Sequence, residues 1–264
     1  MKTKEKLNMA NLKTKNTADE ELCLRQNLQY LKLTAFIDNY TTAAKQATEK
    51  QWSYTHFLGQ LVEAEVNARN DRSTLRRIKL ARFPVLKTID NFDWNWPTKI
   101  NRLQVQELFR LSFLKDNTNI IFLAGVGLGK THLSTALAYQ ACLKGFSVLF
   151  ASAIDIVNTL NTACNAGRLK TELKKYLKSD ILVIDELGYL PVDKKGADLL
   201  FQVISRRYEH GSIILTTNKS FKKWPEIFNN DSTLTSAVLD RLLHHAETVA
   251  IEGKSYRMKD KIEE

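Results

Sequence analysis

Near residue 100 the spacing of apolar residues changes, and with it the kind of structure they predict. From Leu28 to about Leu80 they recur at helical intervals: Leu28, Leu31 and Ile37, then Phe57, Leu58, Leu61 and Val62. Residues three and four apart share a helix face. Ser53 stands where an N-cap would open a second helix, and only Gly59 interrupts the pattern. A small all-helical domain over residues 28–82 is predicted. Residues 1–27 have no apolar periodicity and are rich in Lys, Asn, Thr and Glu, the make-up of a mobile tail. Residues 259–264 are read as a second tail.

Residues 83–100 carry Phe83-Pro84 and then Asn91-Phe92-Asp93-Trp94-Asn95-Trp96-Pro97. Two prolines and three alternating aromatics predict an extended linker packed on a neighbouring domain. The aromatics either anchor that linker or stand beside a bound base. Strand and helix patterns then alternate. Strands are predicted at Asn119–Ala124, Phe146–Ala151, Asp180–Ile184, Ser212–Thr217 and Thr248–Glu252. Helices are predicted at Lys130–Leu143, Ala153–Cys164, Gly196–Tyr208 and Leu234–His244. Continuous apolar strands separated by helices indicate a parallel sheet covered on both faces. The expectation for residues 101–258 is a doubly wound α/β domain.

Charge adds a partner to this picture. The 264-residue chain carries a net charge of +10, which favours a polyanion. Half of that excess lies between Arg69 and Arg82, where Arg69, Arg72, Arg76, Arg77, Lys79 and Arg82 face one acid, Asp71. On a helix Arg69, Arg72, Arg76 and Lys79 fall within about 80° of one another, a stripe able to track a DNA backbone. Four to six phosphate contacts would give a log–log salt slope of roughly −4 to −5 on duplex DNA. No apolar run is long enough for a membrane span, and Met1 to Asn27 has no apolar core of a secretory signal, so a cytoplasmic location is expected. Cys23, Cys142 and Cys164 lie far apart without metal-ligand spacing and are read as reduced thiols. His132, His244 and His245 likewise lack partner ligands at metal spacing.

Two strand ends carry recognisable chemistry. Ile120-Ile121-Phe122-Leu123 runs into Ala124-Gly125-Val126-Gly127-Leu128-Gly129-Lys130-Thr131 and then a helix, the strand–loop–helix setting of a phosphate-binding loop. Backbone N–H groups of Gly125, Val126, Gly127, Leu128, Gly129, Lys130, Thr131 and His132 would cradle ATP phosphates, aided by the helix N-terminus. Lys130 would reach the β- and γ-phosphates and the Thr131 hydroxyl would ligate Mg²⁺. The pattern usually begins with Gly; a methyl at Ala124 fits if φ stays negative. Ile181-Leu182-Val183-Ile184 delivers Asp185 and Glu186 at the C-terminal edge where such sheets bind ligands. Asp185 would hold Mg²⁺ and Glu186 would polarise the attacking water. A third strand ends at Asn218, whose amide could contact the γ-phosphate or the water, or serve as a turn residue.

This series, with a later Asp240-Arg241-Leu242-Leu243 helix, resembles the AAA+ superfamily. Within it, Gly129-Lys130-Thr131-His132-Leu133, Asp185-Glu186-Leu187-Gly188-Tyr189-Leu190-Pro191, Ala237 to His245 and Ser255-Tyr256-Arg257 resemble the IstB family of transposition helper ATPases, relatives of the DnaC helicase loaders. Ala124-Gly125-Val126 departs from that family's usual Gly-Pro-Pro. The resemblance implies an ATPase that forms homo-oligomers on double-stranded DNA and assists a cognate transposase. It implies Arg241 as an arginine finger reaching a neighbouring subunit's ATP, and Arg257 as a second nucleotide-sensing arginine. A helicase loader would share every catalytic motif; a small-molecule kinase would need an acceptor site and a lid; a nucleotide-gated scaffold would have no use for Glu186.

Overall fold

A computed structural model describes residues 19–258. The chain divides into two compact units between Ser73 and Thr74. In the first, a helix through residues 19–30 is followed by α2 (Thr34–Glu49) and by α3 (Tyr54–Ala81), which contributes residues to both units. The first helix (α1) therefore reaches back to residue 19, into the stretch read as a tail; residues 1–18 and 259–264 lie outside the described residues. Ser53 opens α3 as expected, its hydroxyl accepting the His56 N–H at 3.2 Å. The N-terminus of α2 has no cap from its own flank. Glu65 supplies one from α3: its carboxylate accepts the Ala35 N–H at 2.9 Å and pairs with Arg69 at 2.8 Å and Arg72 at 3.2 Å. Among the described residues of this unit, Leu28, Ala35 and Leu61 are the buried apolar ones.

The second unit is built on a six-stranded sheet: β1 (Lys99–Ile100), β2 (Asn119–Ala124), β3 (Val148–Ser152), β4 (Ile181–Leu187), β5 (Ser212–Thr217) and β6 (Ala246–Glu252). The spatial order is β1-β6-β2-β5-β4-β3, with β1 antiparallel and every other pair parallel. The connecting helices are α4 (Arg102–Leu108), α5 (Lys130–Leu143), α6 (Ala153–Asn165), α7 (Leu169–Lys178), α8 (Lys194–Arg207) and α9 (Ser232–Leu243). Asp193 and Asp231 cap α8 and α9 by accepting the Gly196 and Leu234 N–H groups, each at 2.8 Å.

The unbroken apolar strands have a direct cause. Ile121, Leu182, Ile184, Ile213 and Leu215 enter one core cluster with α6, α7, α8 and α9. Their neighbours Ile120, Phe122, Ile181, Val183 and Ile214 enter a second with α5 on the other face. Alternate residues of one strand thus serve opposite cores, each buried side chain contributing about 1.5–3 kcal/mol. Three elements escaped the sequence pattern: β1 is too short, α4 spans seven residues, and half of α7 is charged. Only Leu173 and Tyr176 of α7 are buried. Parallel β2 and β4 place their C-terminal ends at one edge, with β5 between them.

Candidate active site

The loop after β2 meets α5 at that edge. Ala124 ends β2 as an ordinary strand residue, so its methyl meets no backbone penalty. Gly127 and Gly129 take φ of +75° and +87°, which side chains with a Cβ resist. Space forbids a Cβ there as well: at Gly127 it would lie 2.1 Å from Ser255 Oγ, and at Gly129 2.6 Å from Phe92 Cε2. Lys130 Nζ donates to the Gly125 carbonyl at 2.6 Å. Burial pushes the Lys130 pKa down, against the pull of Asp185 and Glu186, and Arg257 adds to the depression.

Across β5, Asp185 is buried with its carboxylate facing the loop. Thr131 Oγ1 lies 3.1 Å from each Asp185 oxygen, and Thr216 donates to Oδ1. Burial raises the Asp185 pKa; the hydrogen bonds from Thr216 and Thr131 oppose that rise. The hydroxyl and carboxylate form a hard-oxygen pair suited to magnesium, which takes few protein ligands and completes its shell with phosphate and water. Among the described residues no group of three or more His, Cys, Asp or Glu could hold a metal, so two protein oxygens are the fit available here. Glu186 adopts φ +60° at an irregularity between Ile184 and Leu187, and its exposed side chain lines the cleft.

That cleft has a volume of about 620 Å³ and gathers Gly127, Leu128, Gly129, Lys130, Thr131 and His132 with Glu186, Asn218 and Arg257. The aromatic segment read as a linker also lines it. Phe92 and Trp96 line the cleft, Phe92 packs edge-on to His132 at 5.4 Å, and His132 Nε2 lies 2.8 Å from the Thr88 carbonyl. Burial lowers the His132 pKa, so the neutral ring faces that carbonyl as a donor. Residues 254–257 close over the loop: Tyr256 N–H donates to the Gly127 carbonyl at 2.8 Å, and Trp96 Nε1 donates to the Lys254 carbonyl at 2.8 Å. This strap brings Arg257 into the same cleft. Phe92, Trp96 and Tyr256 were visible only as an aromatic rhythm and a short motif; Thr216 carried no sequence signal.

Arg241 is elsewhere. Its guanidinium donates to the Ala237 carbonyl at 2.9 Å and stacks over Phe201, away from the residues that line the cleft. The basic residues of α3, and Arg82 just past its end, divide as well. Arg69 and Arg72 pair with Glu65 while keeping about half of their side-chain surface (54% and 50%) in solvent. Arg77 donates from Nε to the Cys142 carbonyl at 3.0 Å. Arg76, Lys79 and Arg82 are exposed. All three cysteines are free thiols.

A parallel sheet in which one strand separates the glycine-loop strand from the acidic strand, with the cleft at their shared edge, is the arrangement of an AAA+ P-loop domain. Comparison with known proteins narrows that class. The chain belongs to the IstB-like ATP binding protein family, whose pattern matches residues 26–264. It is 42% identical over 231 residues to an ATP-binding protein of insertion sequence IS5376 from Geobacillus stearothermophilus, covering 88% of this chain and 92% of that one. It is 40% identical over 234 residues to the insertion sequence IS21 ATP-binding protein of Pseudomonas aeruginosa, covering 89% and 88%. Among solved structures, the DnaC helicase loader matches with 22% identity and a TM-score of 0.51 over 62% of this chain and 96% of that chain. AMPPCP-bound DnaA from Aquifex aeolicus matches with 23% identity and a TM-score of 0.54 over 69% and 56%. These two likenesses are of fold. Among the described residues, no helix is long and apolar enough to cross a membrane.

Proposed function

We propose that this chain hydrolyses ATP as a homo-oligomer on double-stranded DNA and so assists the transposase of its own mobile element. The observation that carries the hydrolytic part is the meeting of Thr131, Asp185 and Glu186 beside a glycine loop at one sheet edge. Backbone N–H groups from Gly125 to Thr131 hold the phosphates, and Lys130 neutralises charge on the β- and γ-oxygens. Bound Mg²⁺ would supply Lewis-acid stabilisation of the phosphoryl oxygens, held by Thr131 and Asp185. Glu186 takes a hydrogen bond from the attacking water and aligns it, and Asn218 fixes the same water or the γ-phosphate. Arg257 reads the nucleotide within its own subunit. Arg241, remote from its own cleft, serves a neighbouring copy, where a guanidinium on the transferring group is worth roughly 10³–10⁵ in rate.

The basic residues of α3, with Arg82 just past its end, bind the DNA backbone: Arg76, Lys79 and Arg82 through exposed charges, Arg69 and Arg72 through the open halves of theirs, with Arg77 shared between DNA and the fold. The transposition reading, as opposed to helicase loading, rests on relatives from insertion sequences at 40–42% identity over most of the chain, whereas the DnaC likeness is one of fold. The test is ATPase rate against protein concentration, with and without duplex DNA. A DNA-stimulated rate rising more steeply than protein concentration is expected. Arg241→Ala should lower turnover about 10³-fold while nucleotide affinity changes less than about threefold. Linear, DNA-indifferent turnover that survives Arg241→Ala would overturn the assembly model.

A further inference from the structure

The junction of β4 and β5 holds a residue that no motif marks. Ile184 pairs with Leu215 and Leu187 with Thr217, so two residues of β4, Asp185 and Glu186, stand opposite the single residue Thr216. Such a two-against-one bulge bends the strand and leaves one residue outside the regular ladder. Here that residue is Glu186, at φ +60°, a left-handed conformation that non-glycine residues adopt only at a cost. Something must hold it there.

Thr216 is fully buried, and its one hydroxyl makes both connections. It donates its hydrogen to Asp185 Oδ1 and accepts the Glu186 N–H at 2.9 Å. A hydroxyl can donate and accept at once; a valine of the same shape can do neither. The first bond fixes the rotation of the carboxylate that faces Thr131. The second replaces the carbonyl that an unbroken ladder would have offered to Glu186, and so holds the turn that sends the Glu186 side chain out of the sheet into the cleft. One atom therefore ties the orientation of the cation-side carboxylate to that of the water-side carboxylate.

We infer that Thr216 is a positioning residue for ATP hydrolysis, setting Asp185 and Glu186 in register through its single hydroxyl. The inference rests on the hydrolytic reading above. If it holds, losing the hydroxyl lets both carboxylates drift, and a displacement near 1 Å at reacting groups costs on the order of 100-fold in rate.

The experiment compares wild type, Thr216→Val, Thr216→Ser and Glu186→Gln in the full chain. Thr216→Val should lower kcat about 100-fold, with magnesium-free nucleotide affinity changed less than about threefold. Thr216→Ser should recover most of the rate. A readout independent of turnover is amide exchange at Glu186 without nucleotide: the valine variant should exchange at least about tenfold faster, and the serine variant near the wild-type rate. In the Glu186→Gln background, Thr216→Val should cost less than it does in wild type, because one of the two carboxylates it positions is already disabled and only the Asp185 share remains. Should the valine variant fail to fold, Thr216→Cys, close in volume but a weak donor and acceptor, is read in its place. Wild-type turnover untouched by Glu186→Gln would sink the hydrolytic reading itself. Turnover that depends on Glu186 yet is unchanged in the valine variant, or a serine variant as slow as valine, would overturn the role of Thr216 alone.

Discussion

Asp185 and Glu65 are both carboxylates taken out of water, yet the company they keep sends them in opposite directions. Glu65 is met by two guanidiniums and a backbone N–H, and its pKa falls, with the Arg69 hydrogen bond the largest cause. Its charge is spent inside the first unit, joining α2 to α3. Asp185 is met by the hydroxyls of Thr131 and Thr216, and burial outweighs them, so its pKa rises. Hydroxyls orient a carboxylate without neutralising it. A buried acid whose hydrogen-bond partners are neutral, with Lys130 acting on it only through space, still suits a cation; one with guanidiniums already has two. The contrast separates a site from a scaffold without reference to any motif.

The comparison can be broken at several points. The largest effect belongs to Asp185→Asn, which should reduce hydrolysis about 10³-fold by removing the anionic oxygen offered to magnesium. The same change should leave the fold intact and raise the thermal midpoint by about 2–4 °C, because a disfavoured buried charge is gone. A lowered midpoint would contradict the account of Asp185. Glu65→Gln should do the reverse. Nucleotide affinity should hold, while urea denaturation followed by helix circular dichroism shows the first unit weakened by about 2 kcal/mol.

Acidification should separate the two groups further. A carboxylate with a depressed folded pKa contributes stability that is present above its unfolded value near 4.5 and is lost as pH falls through the folded value. The first unit of wild type should therefore lose helix below about pH 4.5, and Glu65→Gln should be flatter across that window. Asp185 has the opposite sign: its raised pKa favours the protonated folded form, so acid does not weaken the second unit through this group. The smallest effect concerns the basic residues. Arg76→Ala and Lys79→Ala should each flatten the salt slope of DNA binding by about 1. Arg77→Ala should also lower the thermal midpoint of the second unit, since its guanidinium holds the Cys142 carbonyl.

How much of this the sequence revealed depends on whether the signal was local. The glycine loop, Lys130, Thr131 and the Asp185-Glu186 pair were legible because a buried parallel strand must be apolar throughout and must end where its ligand lies. The bounds of β2, α5 and β5 follow from the same periodicity. Thr216 was not legible, because a threonine in a strand is unremarkable until the register sets it against a bulge two elements away. Glu186 gave no sign of its left-handed backbone for the same reason. The strap from Lys254 to Arg257 depends on Trp96, more than 150 positions earlier in the chain. The helix over residues 19–27 was hidden by charged composition, which looks alike on a solvated helix and on a loose tail.

The place of β6 bears on how this molecule comes off the ribosome. β6 inserts between β1 and β2, so the strand that leads into the glycine loop keeps an open edge until residues 246–252 have been synthesised. The amide of Tyr256 that steadies Gly127 emerges later still. A nascent chain halted before that point carries a loop of the right sequence beside a strand paired on one side only, an open edge of the kind that invites aggregation. The loop that would grip nucleotide is thus completed late, only once β6 and the strap after it have emerged.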